Sequence, residues 1–253
     1  MNADAGESFG LWRIGADAEI FPYITSANIA CGAHAGDPSV MRKTIELAAL
    51  RHVAVGAHPG YPDLQGFGRR AMMMDLDEIH DMVVTQIGAL QAMAQIKGAR
   101  LQHVKLHGAL YNAAAQDGVI AQVVCRAVRA IDQNLVVVAL SGSIMAQVSQ
   151  EMGLRTAEEL FLDRGYADDG TLLPRSHPHA LVSDLAEIDR RAELLTTSGV
   201  IQTDGGLLLP RNCVTLCVHS DTPNAAAIAA RAKQAFQRIG ADIRPMAEIV
   251  AQR

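Results

Sequence analysis

His103, Lys105 and His107 recur at every second position of one short apolar run. A β-strand turns such residues to a single face. An ammonium and two imidazoles sharing a face can polarise a carbonyl, bind a phosphate or move a proton. A lysine within an apolar run is costly to bury unless it is paired or used, so pairing with a core carboxylate is the structural alternative. Further polar groups follow other apolar runs: Asp4 and Glu7 after the first, Cys31, His34 and Asp37 after the second, His58 and Asp63 after the third. Glu158, Asp163 and Arg164 stand near the sixth, and His219 and Asp221 end the seventh. Any one of these reads more naturally as a cap or turn residue; their recurrence after run upon run points to a shared site.

Cys31 lies beside His34, where an imidazole can activate a thiolate, yet a buried cysteine is usually a small packing residue. Packing is expected for Cys31, Cys213 and Cys217. No G-x-x-x-x-G-K-[ST] occurs, and Gly66-Phe67-Gly68-Arg69-Arg70 lacks the strand-to-helix context of a dinucleotide fingerprint. Arg69 and Arg70 can clamp a carboxylate or phosphate; an exposed, solvated pair is the alternative.

The elements that must position these groups alternate. Ala27 to Cys31, Val53 to Ala57, His103 to Leu106, Leu135 to Leu140 and Val214 to Val218 read as buried strands, with weaker ones near 1–4 and 155–160. Asp37-Pro38 marks a helix N-terminus, and Asp75-Leu76-Asp77-Glu78 resembles a capping box that opens a helix towards Gly98. More helices are expected near 117–131, 143–152, 184–197 and 222–239. Repeated βα units imply a parallel sheet covered by helices, either closed or doubly wound. About seven strands favour an α/β fold of the imperfect barrel type, one domain over residues 1–253, with its active face at the strand C-termini. The segments 58–70 and 162–178 read as loops able to cover such a face.

Composition excludes several classes. A net charge of −5 and few aromatics, one Trp, four Tyr and five Phe, provide neither a basic footprint nor stacking platforms for nucleic acid. The first residues are neither basic nor strongly apolar, and no window approaches about 18 uninterrupted apolar residues, so a cytoplasmic protein without a membrane partner is expected. Four cysteines without a C-x-x-C predict reduced thiols.

Several motifs together resemble the LamB/YcsF family, identified with the A component of bacterial ATP-dependent 5-oxoprolinase. They are NADAGESFG at residues 2–10, SANIACGAHAGDP at 26–38, GAHPGYPDLQGFGRR at 56–70, HVKLHGALYN at 103–112, FLDRGY at 161–166 and CVHSDTP at 217–223. The resemblance implies a seven-stranded, distorted TIM-like β/α barrel of the glycoside hydrolase and deacetylase type. It also implies opening of the 5-oxo-L-proline lactam to L-glutamate, coupled to ATP hydrolysis and shared with subunits B and C. On that basis Asp4 or Glu7 is expected as general base, His34 and His107 as proton donors or metal ligands, and Lys105 as electrostatic stabiliser. His58, Arg69, Asp163, Arg164 and His219 are expected to bind substrate. Related deacetylase barrels use an Asp-His-His metal site, for which Asp4, His58 and His107 are the candidates should a divalent ion bind. The alternatives are a stand-alone metal-dependent amide or N-acetyl hydrolase and a non-catalytic binding subunit.

Overall fold

The computed structural model describes residues 1–252. Its strands are β1 (Asn2–Ala5), β2 (Ser26–Ala30), β3 (Ala54–His58), β4 (Leu101–Lys105), β5 (Val136–Leu140), β6 (Thr156–Phe161), β7 (Val200–Gln202), β8 (Leu208–Pro210) and β9 (Thr215–His219). Seven of them run parallel and close into a barrel, β1-β2-β3-β4-β5-β6-β9, with β9 paired to both β6 and β1. β7 and β8 form a separate antiparallel hairpin, which the sequence did not signal.

The helices are α1 (Asp17–Ile20), α2 (Pro38–Leu50), α3 (Leu76–Ile96), α4 (Gly108–Gln116), α5 (Gly118–Ile131), α6 (Ile144–Glu151), α7 (Leu185–Ser198), α8 (Ala225–Arg238) and α9 (Met246–Val250). Both helix starts expected from the sequence are present. The Asp37 carboxylate accepts from the Ser39 and Val40 amides with Pro38 in the first turn, and Asp75 and Glu78 form a reciprocal capping box. α3 buries Ile79, Val83, Ile87, Leu90 and Ala94, an i, i+4 stripe that faces the barrel. Among the described residues no helix is long and apolar enough to cross a membrane.

Strand alternation divides the barrel sharply. Outward residues such as Ala3, Ile29, Val55, Val104, Val137 and Val218 join the main apolar core beneath the helices. Inward residues change character along the axis. At the base Val136, Val138 and Ala157 meet Met246, Ala247 and Val250, so α9 plugs the barrel with apolar side chains. Above that plug the interior is polar. Gly56 sits opposite His103 in the strand register, and a Cβ there would lie 2.0 Å from His103 Nε2. The missing side chain of β3 is what admits the imidazole, which reaches Asn28 Oδ1 at 2.8 Å.

Asp17 of α1 accepts the Gly6 amide at 2.8 Å, while its other oxygen is buried without a partner. Burial pushes its carboxyl up to about 6, against the Gly6 hydrogen bond that lowers it. The folded state therefore holds a proton that an unfolded aspartate, with a pKa of about 3.9, releases. Stability should fall as pH rises from about 4 to 6 and then level off. Asp17→Asn keeps an acceptor for Gly6 and removes the titration. Urea denaturation across that range should show the variant gaining about 2–3 kcal/mol on the parent by pH 7; equal pH slopes would refute the assignment.

Candidate functional site

Because partners in a parallel register face the same way, β4 carries His103 and Lys105 into the barrel together with Asp4 of β1, Asn28 of β2, Glu159 and Phe161 of β6, and Cys217 and His219 of β9. Lys105 Nζ lies 2.9 Å from Asp4 Oδ1, 2.9 Å from Cys217 Sγ and 3.4 Å from Glu159 Oε2. Burial opposes its charge, but Asp4, Cys217 and Glu159 outweigh that and hold the ammonium pKa well above its ordinary value. Burial likewise opposes an ionised Asp4, yet His58 and Lys105 keep that carboxyl well below the usual range. Asn28 Nδ2 donates to Asn2 Oδ1 and Asp4 Oδ1, each at 2.8 Å, and Asn2 Nδ2 donates to Thr215 Oγ1 at 2.9 Å. Lys105 is thus both paired with core carboxylates and exposed to the cavity above them.

A second group is built on histidines. His58 Nδ1 lies 2.7 Å from the Lys105 carbonyl and His107 Nε2 lies 2.8 Å from the Phe67 carbonyl. Carbonyls only accept, so each of these nitrogens donates and the hydrogen-bond network sets the tautomers. The remaining nitrogens, His58 Nε2 and His107 Nδ1, face each other at 3.0 Å. Asp4 Oδ2 is 3.3 Å from the first and Glu7 Oε1 is 3.4 Å from the second. His34 stacks on His107 with ring centroids 3.7 Å apart, and its Nε2 is 3.7 Å from Glu7 Oε1. Burial pushes the pKa of both His34 and His107 well down and that of Glu7 well up. The loop after β3 lies directly on this pair: Gly68 has φ +62°, and a Cβ there would come within 2.8 Å of His34 Cβ.

The third group is His219, whose Nδ1 is 2.9 Å from Asp163 Oδ2. The same carboxylate oxygen accepts the His219 amide and the Thr222 hydroxyl. Phe161 stacks on the ring at 5.3 Å, and His219 Nε2 points towards Asp4 Oδ2 at 3.8 Å.

These groups converge on one cavity of about 200 Å³ at the strand C-termini. Asp4, Glu7, His58, Lys105, His107 and His219 form its strand-end walls, and Arg69, Arg164 and Arg175 come from the loops. Its size is below the range of about 300–1,000 Å³ typical of drug-sized ligands, which suits a small metabolite. His34 and Asp163 stand one layer back, behind His107 and His219. The 162–178 loop supplies Leu172, Leu173, Pro174 and Arg175 to the wall. Arg164 spends two nitrogens on the carbonyls of Ala180 and Leu173. Arg69 pairs with Asp221 at 2.6 Å, and Arg70 turns away to pair with Asp63.

Sequence patterning named Glu158 near β6, but that residue turns outward to the Ser141 hydroxyl at 2.8 Å and it is Glu159 that meets Lys105. Parity with Phe161 carried that signal. Arg175, Asn28 and Tyr111 were also missed; Asn28 lies within an apolar run where a buried amide calls for a partner. Cys31 has no imidazole partner: its thiol donates to the Ile29 carbonyl at 3.2 Å, and burial pushes it up to about 12. Native Cys31 should therefore resist iodoacetamide at pH 8; peptide mapping that found it fully alkylated would refute this.

The donor chemistry fits a divalent ion. Glu7, His34, His58 and His107 each bring one ligand atom within 4.8 Å of the others. Glu7 Oε1 and both ring nitrogens of His34 are buried without hydrogen-bond partners. Glu7 and His34 thus adjoin the expected triad of Asp4, His58 and His107.

The chain matches the LamB/YcsF family over residues 1–251. A Bordetella pertussis protein named as the A subunit of 5-oxoprolinase is 47% identical over 240 residues, covering 95% of each chain. A Pyrococcus furiosus protein of the same name is 46% identical over 250 residues, 99% of this chain and 98% of that one. The crystal structure of a lactam utilization protein from Thermus thermophilus superposes with a TM-score of 0.89 at 42% identity, covering 96% of this chain and 98% of that one. An Enterococcus faecalis V583 structure at 15% identity and TM-score 0.59 shares the fold alone. A family match over residues 1–251, a superposition at TM-score 0.89 and relatives this similar over nearly their whole length give one conclusion: the chain belongs to the LamB/YcsF family.

Proposed function

We propose that this chain is the component of a 5-oxoprolinase that binds 5-oxo-L-proline and opens its lactam to L-glutamate, sharing ATP hydrolysis with partner subunits B and C. The carrying observation is the cavity, which sets a buried ammonium among carboxylates and imidazoles beneath a rim of arginines. 5-Oxoproline has two handles, a carboxylate and a lactam carbonyl, and the cavity has a matching group for each. Arg69 and Arg175, with Arg164 beside them, suit the carboxylate. Lys105 suits the oxygen whose negative charge grows as water adds to the ring carbonyl.

Asp4 Oδ2 faces the cavity and takes the proton from the attacking water. The ring C–N bond then breaks, and the nitrogen receives a proton from His219, whose Nδ1–H is held by Asp163. An amide is a reluctant electrophile; transfer of the ATP γ-phosphoryl to its carbonyl oxygen activates the carbon, so that addition of the first water and cleavage of the C–N bond leave a γ-glutamyl phosphate, which a second water hydrolyses to glutamate and phosphate, one ATP becoming ADP per ring opened. A divalent ion at Asp4, His58, His107 and their neighbours would supply Lewis-acid polarisation of the same carbonyl.

The test is a reconstituted mixture of this chain with subunits B and C. ADP release that depends on 5-oxoproline should stop when this chain is omitted and when Lys105→Ala replaces it; unchanged release in either case sinks the proposal. The cluster of Glu7, His34, His58 and His107 favours a second reading, a metal-dependent amide hydrolase that needs no ATP. It requires turnover of a simple amide by this chain alone, abolished by a chelator.

A further inference from the structure

Beneath the cavity a line of buried side chains runs from His103 to the two carboxylates that flank Lys105. Ionised Asp4 only accepts, so the Asn28 atom 2.8 Å from its Oδ1 is the amide nitrogen, and Asn28 Oδ1 is turned to His103 Nε2 at 2.8 Å. An amide oxygen only accepts as well, so His103 Nε2 carries the proton and Nδ1 the lone pair. The second hydrogen of Asn28 Nδ2 goes to Asn2 Oδ1 at 2.8 Å. Asn2 Nδ2 donates in turn to Thr215 Oγ1 at 2.9 Å and to Glu159 Oε2 at 3.4 Å. Every bond points the same way, from the imidazole through two amides to Asp4 and Glu159. In the other tautomer two acceptors would face each other at the first step, leaving the buried Asn28 oxygen unmatched.

The fold makes room for this imidazole. A Cβ on Gly56 would overlap the ring, so β3 gives up a side chain to admit it. His103 is buried, and its Nδ1 is without a hydrogen-bond partner. Burial, together with the charge of Lys105, lowers its pKa to about 3, which leaves the ring neutral at pH 7. An apolar residue would fill the same space without burying a bare lone pair. What only the imidazole brings is a donor aimed at Asn28.

We propose that His103 is a positioning residue for the ring-opening reaction: by donating from Nε2 it fixes the sense of the Asn28 amide, which holds Asp4 Oδ1 and leaves Asp4 Oδ2 turned to the cavity. The catalytic part of this rests on the lactam reading above; the sense of the hydrogen bonds does not. Asp4 Oδ1 is held by two donors, Lys105 Nζ at 2.9 Å and Asn28 Nδ2 at 2.8 Å. Without the His103 donor the buried Asn28 oxygen turns to another partner, its nitrogen leaves Asp4, and the carboxylate pivots on Lys105. A reacting group misplaced by about 1 Å costs about 10²-fold in rate. Asp4 acts on the attacking water and does not hold the substrate, so the loss belongs to kcat and not to KM.

Two measurements test this. Ring ¹⁵N NMR of the full parent chain at pH 7, with His103 assigned through its ring-to-backbone correlations, should show a neutral imidazole protonated at Nε2. A ring protonated at Nδ1, or at both nitrogens, overturns the proposal whatever the activity. In the reconstituted mixture with subunits B and C, His103→Leu should lower kcat for 5-oxoproline about 10- to 100-fold at nearly constant KM. His103→Gln, whose amide nitrogen can stand where Nε2 stood, should recover most of that loss. A folded His103→Leu protein with parental kcat overturns the proposal, and so does a folded His103→Gln protein no faster than it, which would make the ring a packing residue. Should His103→Leu fail to fold, Gly56→Ala takes its place: it pushes the ring off Asn28, keeps every polar group, and should bring the same loss in kcat. A mixture in which even the parent chain gives no 5-oxoproline turnover removes the lactam reading alone, and the ring spectrum then decides the line of donors by itself.

Discussion

Lys105→Met is expected to lower the free energy of unfolding by about 3–5 kcal/mol, because it strands Asp4 and Glu159 in the barrel without their shared cation. Urea denaturation at pH 7 reads the loss. The acid limb should also move. In the parent, burial works against the Asp4 charge, but His58 and Lys105 keep its pKa well below the usual value. The resulting stability is present above the unfolded aspartate pKa of about 3.9 and disappears as pH falls through the lower folded value. Without Lys105 the folded pKa climbs, and unfolding should begin at a higher pH. Adding Asp4→Asn removes the stranded charge and should restore much of the stability, since a buried pair replaced as a pair is far less damaging than a broken one. Turnover in the reconstituted mixture should stay about 10²–10³-fold down in both variants. A Lys105→Met protein that melts like its parent would contradict this description of the barrel interior.

The second large effect concerns the arginine rim. Arg69 and Arg175 share Asp221, at 2.6 and 3.8 Å, and both line the cavity. A hydrogen bond to a charged group contributes about 1.5–3 kcal/mol. Arg175→Met, and Arg69→Met combined with Asp221→Asn so that no carboxylate is left unpaired, should each weaken 5-oxo-L-proline binding about 10- to 100-fold. Binding of 2-pyrrolidinone, the same lactam without the carboxylate, should not change. Calorimetry with both ligands distinguishes a carboxylate clamp from a general loss of shape; equal losses for the two would remove the clamp.

The barrel was legible because its strands are short apolar runs and its helices carry clear caps at Asp37 and Asp75. Asp4, His58, Lys105, His107 and His219 could be placed near a common mouth because each follows or ends such a run. What escaped were features with no local signature. Arg175 lies in a loop whose path depends on packing, through the Arg164–Leu181 and Tyr166–Leu172 bridges. Glu159 adjoins Glu158, and only strand register decides which of the two faces Lys105. α4 begins at Gly108 and is built of Ala, Leu, Tyr and Asn without a conventional cap, so the chain around His107 gave no helix signal.

The barrel closes where β1 meets β9, pairing Asn2 with Cys217 and Asp4 with His219. This is the most distant strand pairing along the chain, and such contacts are slow to form because a long loop must be ordered first. Lys105 draws its partners from both sides of that seam, Asp4 from one edge and Cys217 from the other. Until the seam forms, the ammonium of β4 lacks the full set of groups that surrounds it in the closed barrel. Neutralisation of the interior and completion of the sheet are therefore one event, so a nascent chain that lacks β9 has neither a finished wall nor a balanced core. A circular permutant opened elsewhere, with β9 and β1 made consecutive, would join those steps at the start of folding instead of the end.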